Sequence, residues 1–249
     1  MEKDSGWNQI RVGLPGRAMY TRMAGPLGGP AVVLVHGFVL AGDYMMPTAK
    51  MLAPFSRTYV PDLPGYGLSD RPRRFDLASL GDGLADWMER LHLGGAHFIG
   101  NSFGCQVLVD FAVRHEGLVQ RLVLQGPTGD PGARSIAKQL LRLVKNSQIE
   151  SPRLGRLMLR DYWRAGWRAI RATTRMALGD RLETKLTQVN APTLVVRGSC
   201  DVLVPQAWAE RIVGLLPDGH LLVMPGLAHT ITYTAPFMFV EAIRPFLRL

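Results

Sequence analysis

Six short apolar runs, at 31–35, 58–60, 96–99, 121–124, 192–196 and 221–224, alternate with stretches of helical periodicity along most of the chain. Apolar runs this short, without polar alternation, suit strands buried on both faces. Such strands need helices above and below them, and parallel neighbours need long crossovers between them. The pattern therefore predicts an α/β domain with a mostly parallel sheet. Segments 9–12 and 18–22 read as an antiparallel hairpin at its edge, which brings the sheet to eight strands. Helices are predicted over 77–91, 103–115, 205–216 and 236–249. From 131 to about 186 no strand is legible, and the stretch reads as a helical insertion rich in Leu, Tyr162, Trp163 and Trp167. The expected organisation is a core of 1–130 and 187–249 with an inserted unit at 131–186.

At 249 residues the chain is long enough for one sizeable core. Hydrophobic residues at 47% and charged residues at 20% argue against disorder. No apolar run approaches the length of a membrane span. The N-terminus, Met1-Glu2-Lys3-Asp4-Ser5-Gly6, lacks the charged-then-apolar design of a signal peptide, so a cytoplasmic location is expected. The two cysteines, Cys105 and Cys200, exclude a disulfide scaffold and a four-cysteine zinc site, and both read as small buried hydrophobes. The net charge of +9 raises nucleic acid as a partner. Arginine supplies most of that charge, without adjacent basic runs or a binding motif, so no nucleic-acid partner is expected.

The residues that carry chemistry start with Gly100-Asn101-Ser102-Phe103-Gly104, set between an apolar run and a helical stretch. A G-x-S-x-G pentapeptide in strand–turn–helix context presents a serine on a sharp turn, where glycines relieve the crowding. The helix N-terminus behind Ser102 favours developing negative charge. His36-Gly37-Phe38 follows the first long run directly, and Pro61-Asp62-Leu63-Pro64-Gly65-Tyr66-Gly67-Leu68-Ser69-Asp70 follows the second.

Taken together these three segments resemble the α/β-hydrolase superfamily, in its compact cap-bearing branch, over about 31–246. The resemblance implies an α/β-hydrolase fold with a small helical cap after the sixth strand. It also implies a triad in the order serine, acid, histidine, which falls on Ser102, Asp201 and His229. Ser102 would be the nucleophile, His229 the general base, and Asp201 the group that orients the imidazole. The backbone amides of Phe38 and Phe103 would form the oxyanion hole. His36 reads as structural, and Asp62 as a loop-shaping residue whose segment caps the next helix. Asp130 is the alternative position for the acid. A serine at 102 is inconsistent with the dehalogenases and epoxide hydrolases of this fold, which attack through aspartate.

The implied reaction is hydrolysis of a small-molecule carboxylic ester, thioester or lactone bearing a hydrophobic or aromatic group. Met45, Met46, Trp163 and Trp167 are candidate pocket residues beside Phe38 and Phe103. No cofactor and no metal are expected, since there is no GxGxxG fingerprint or P-loop and the histidines are scattered. Arg156, Arg160, Arg164, Arg168, Arg171 and Arg175 step by three or four and would share one face of a single helix. That face reads as solvated; the sharper alternative is a face meeting carboxylates of a substrate or of a partner subunit in a homodimer. Two other functions stay open. One is C–C hydrolysis of meta-cleavage type, weakened by the bulk of Phe103 after the serine. The other is a ligand-binding, receptor-like protein on the same scaffold.

Overall fold

The computed structural model describes residues 6–135, 138 and 152–249. The strands are β1 (Asn8–Leu14), β2 (Arg17–Ala24), β3 (Ala31–Val35), β4 (Arg57–Pro61), β5 (Ala96–Asn101), β6 (Val119–Gln125), β7 (Thr193–Gly198) and β8 (Gly219–Met224). They form one eight-stranded sheet in the order β1-β2-β4-β3-β5-β6-β7-β8. The β1–β2 and β2–β4 pairs are antiparallel, and every later pair is parallel. The expected edge hairpin is present, closed by Pro15-Gly16 between Leu14 and Arg17.

Helices cover both faces because the central strands are apolar on both. Val33 and Val35 of β3 face one core cluster, and Val32 and Leu34 face the other. On the first face lie α2 (Leu77–Arg90), α3 (Phe103–Arg114) and α6 (Gln206–Leu215), with Trp87, Phe111 and Trp208 buried against the sheet. On the second lie α1 (Met46–Leu52) and α8 (Pro236–Leu247), with Leu52, Phe239 and Ile243 buried. Each such side chain contributes roughly 1.5–3 kcal/mol when removed from water. Helix α2 starts at a capping box in which Asp76 accepts from the Ser79 amide and Ser79 accepts from that of Asp76. The cap of this helix is therefore Asp76, not the Asp62–Asp70 segment expected to supply it.

Between β6 and β7 the described chain is helical: α4 (Pro152–Gly179) and α5 (Leu182–Lys185), with short 3-10 turns at Pro131–Ala133 and Leu186–Gln188. The remaining short helix, α7 (Ile231–Thr234), follows β8. Gly166 interrupts α4 at φ 75° and ψ 167°, so the arginine ladder runs over two helical segments rather than one continuous face. Its members at 156, 164, 168, 171 and 175 are exposed, while Arg160 is half-buried. Arg142, in the same insertion, lies outside the described residues.

Candidate active site

Ser102 stands between β5 and α3 at φ 55° and ψ −119°. An L-residue there carries strain of order 1–3 kcal/mol, which the surrounding packing must hold. The turn is tight enough that a Cβ on Gly104 would meet the His36 carbonyl oxygen at 2.6 Å. Two bonds anchor it: the Ser102 amide donates to the Gln125 carbonyl at 2.9 Å, and the Cys105 amide to the Ser102 carbonyl at 3.0 Å. Ser102 keeps partial exposure, whereas its neighbours Asn101 and Phe103 are buried. Phe103 opens α3, where an amide has no intrahelical acceptor.

The loop after β3 lies against this turn; a Cβ on Gly37 would stand 3.3 Å from that of Ser102. The Phe38 ring meets Phe103 edge-on at 6.5 Å, and Tyr162 of α4 meets Phe38 edge-on at 6.3 Å. Among the described residues of the insertion Tyr162 makes this ring contact with Phe38, and burial pushes its phenol up to about 12. His36 Nε2 accepts from the Leu63 amide at 3.0 Å. Burial lowers its pKa, and the neutral ring ties the two loops together as a structural histidine should.

Asp201 and His229 come together from the ends of β7 and β8. His229 Nδ1 lies 2.8 Å from Asp201 Oδ2. The other carboxylate oxygen, Oδ1, accepts from the Leu203 amide at 2.8 Å and the Val204 amide at 3.0 Å. Burial opposes the charge on Asp201, but His229 and these amides outweigh it and hold its carboxyl below the usual range. Buried Arg197 braces the same loop, with Nε on the Val204 carbonyl at 3.0 Å and Nη2 on that of Asp201 at 3.1 Å.

Gln125, at the end of β6, was not legible as a site residue. Its Oε1 accepts from Asn101 Nδ2 at 2.6 Å, and its Nε2 donates to the His229 carbonyl at 2.9 Å. A polar residue directly after the apolar stretch 122–124 was the available signal.

Other candidates fall elsewhere. Asp130 accepts from the Gly132 amide at 2.8 Å and caps a 3-10 turn. Asp62 is buried and takes Arg22 at 2.8 Å, the Gly42 amide at 2.7 Å and the Leu68 amide at 2.8 Å, shaping its loop as expected. Met45 is fully buried in the second core cluster, and Met46 packs against that cluster. Trp163 and Trp167 do not roof the site: they are 86% and 66% exposed. The inward positions of α4 belong to Leu154, Asp161, Ala165, Ala169 and Thr173, so helical phase turns both indoles outward. Cys105 is buried, and burial raises its thiol pKa strongly, whereas Cys200 is exposed rather than buried, in the loop before Asp201. Among the described residues no cluster of His, Cys, Asp and Glu could hold a metal ion, and no helix is long and apolar enough to cross a membrane.

Comparison with known proteins agrees with this architecture. A 2-hydroxy-6-oxo-2,4-heptadienoate hydrolase of Pseudomonas putida is 25% identical, over 88% of this chain and 89% of its own. A 2-(acetamidomethylene)succinate hydrolase of Mesorhizobium japonicum is also 25% identical, over 88% of each chain. The structure of an esterase from Rhodococcus superposes with a TM-score of 0.75 at 23% identity, covering 98% of both chains, which speaks to fold alone. The family described as the alpha/beta hydrolase family matches residues 32–242. The chain belongs to the alpha/beta hydrolase family, and membership and named relatives alike support a hydrolytic enzyme.

Proposed function

We propose that the protein is a serine hydrolase that cleaves a carboxylic ester, thioester or lactone through Ser102, His229 and Asp201. The observation that carries this reading is the 2.8 Å contact between His229 Nδ1 and Asp201 Oδ2. A proton on Nδ1, held by the carboxylate, makes Nε2 the basic nitrogen of the ring. Nε2 takes the proton of Ser102 Oγ as Oγ attacks the substrate carbonyl carbon. The tetrahedral oxyanion that forms is met by the amides of Phe38 and Phe103, each worth about 3 kcal/mol in comparable sites. Collapse expels the alkoxide or thiolate, which receives the proton from Nε2. Water, deprotonated by the same nitrogen, then attacks the acyl-enzyme and releases the acid and Ser102. Asp201 stays ionised throughout and stabilises the imidazolium.

C–C bond hydrolysis is the second reading, favoured by the heptadienoate hydrolase among the relatives. Against it stand the bulk of Phe103 directly after the serine and the exposure of Arg156, Arg164, Arg168, Arg171 and Arg175 to solvent.

The test is intact mass after fluorophosphonate treatment of wild type and Ser102→Ala, followed by turnover of nitrophenyl esters and of a coloured dienoate. One adduct per chain, absent from Ser102→Ala, together with ester turnover, is the expected result. Turnover of the dienoate alone would select the C–C reading. No adduct on folded protein would overturn both.

A further inference from the structure

The outer face of α4 combines two kinds of side chain that rarely stand in water together. Leu159 is 72% exposed and Trp163 86%, one turn apart on the first helical segment, and Trp167, directly after Gly166, is 66% exposed. Exposed Arg153, Arg156 and Arg164 share the first helical segment with Leu159 and Trp163, and exposed Arg168, Arg171 and Arg175 share the second with Trp167. The Arg168 guanidinium lies 5.7 Å from the Trp167 ring centre. The lone acidic residue of the helix, Asp161, is buried on the opposite side, where it accepts from the Ala41 amide at 3.0 Å.

We propose that this face is a peripheral docking surface for an anionic lipid bilayer. Exposed indoles and an aliphatic side chain cost free energy in water and are favoured at the headgroup level of a membrane. Arginines around them complement the negative potential of a phospholipid surface. A second copy of this chain is a poor occupant, since it would set one arginine face against another. A nucleic acid would match the charge but would leave Leu159 without an apolar partner. Docking does not require a membrane-spanning helix. It would set α4 on the bilayer, with Tyr162, on the same helix, in contact with Phe38 beside Ser102. This inference does not depend on which bond the enzyme cleaves.

The experiment is sedimentation of the full-length protein with phosphatidylcholine vesicles, with and without about 30% phosphatidylglycerol. Tryptophan quenching by brominated lipid is read in parallel. Comparison is with Trp163→Ser/Trp167→Ser and with Arg164→Gln/Arg168→Gln. Because all four side chains are exposed, the variants keep the wild-type melting temperature. The proposal expects partition onto anionic but not neutral vesicles and quenching of indole emission in the wild type. It also expects a loss of about tenfold in partition for each double variant, and weakening of wild-type partition by salt. Three outcomes would overturn it: no partition onto anionic vesicles, partition unchanged in both double variants, or the tryptophans instead driving dimerisation or binding of single-stranded DNA.

Discussion

Gln125 Nε2 donates to the carbonyl oxygen of His229 at 2.9 Å, across 104 residues of sequence. Its Oε1 simultaneously accepts from Asn101, the residue before the serine, at 2.6 Å. One buried amide thus joins the β5 turn that carries the proposed nucleophile to the loop that carries the proposed base. Gln125→Met keeps the volume and removes both bonds, leaving a buried amide and a buried carbonyl without their partner. We expect kcat to fall about tenfold with KM changed less than twofold, and the acid limb of the kcat–pH profile to move. A loss of thermal stability with kcat and its pH profile unchanged would reduce Gln125 to a structural residue.

Gly126, the next residue, has φ +59°, and a Cβ there would stand 2.8 Å from His229 Cε1 and 2.9 Å from Nδ1. Gly126→Ala must push the imidazole away from Asp201 or move the strand end. The expected result is a loss of kcat of at least about tenfold, since sub-ångström misplacement of a base is costly. Steady-state kinetics on any accepted ester checks it, and wild-type kcat would show that the ring has room to move.

Asp201 makes the folded protein sensitive to acid. Burial penalises its charge, but His229 and the Val204 and Leu203 amides more than offset that and hold its pKa below the ordinary carboxylate value. A carboxyl depressed in the folded state binds fewer protons there than in the unfolded chain, so stability rises with pH through this window. The contribution is fully present above the unfolded value of about 3.9 and is lost as pH falls through the folded one. In melts between about pH 6 and pH 3, wild type should lose more of its melting temperature than Asp201→Asn. Parallel curves would mean that the carboxylate adds nothing. The same variant should lower kcat about 10⁴-fold by removing the group that sets the imidazole tautomer.

Asp161 latches the cap to the core. It accepts from the Ala41 amide at 3.0 Å, and Arg160 pairs with both Asp161 and Asp43 at 2.8 Å. Asp161→Ala leaves the buried Ala41 amide without this acceptor, at a cost of about 1–3 kcal/mol. The outcome to expect is a lower melting temperature and faster proteolysis within 152–179, with KM raised more than kcat is lowered. Unchanged proteolysis would show that Tyr162 and the apolar contacts hold the cap without this latch.

The strands and the larger helices were legible because each carries its signal locally. The run 31–35 is apolar throughout and 96–99 is apolar but for His97, and both become strands buried on two faces. Phe103–Arg114 follows a turn marked by its own glycines. The helix Met46–Leu52 carries no such local signal, and Met45 and Met46 pack in the core rather than in the expected pocket, because nothing local distinguishes a core methionine from one lining a cavity. The arginine ladder looked continuous because the phase of a helix can be counted along a sequence, while the positive φ of Gly166 cannot.

By itself the sequence determined the α/β alternation, the turn at Ser102 and the chain order of Ser102, Asp201 and His229. The alternation and the turn follow from hydrophobic period and from glycines placed where a side chain would collide, which are properties of neighbouring residues; the placing of Asp201 and His229 beside Ser102 is what the resemblance to the α/β-hydrolase superfamily implies. Only the tertiary structure decided the rest. It set the His229 ring on Asp201, bridged Asn101 to His229 through Gln125, and put Tyr162 rather than Trp163 against Phe38. Those relations join residues tens to more than a hundred positions apart, and their distances depend on how strand ends and helix faces meet once the two cores have packed.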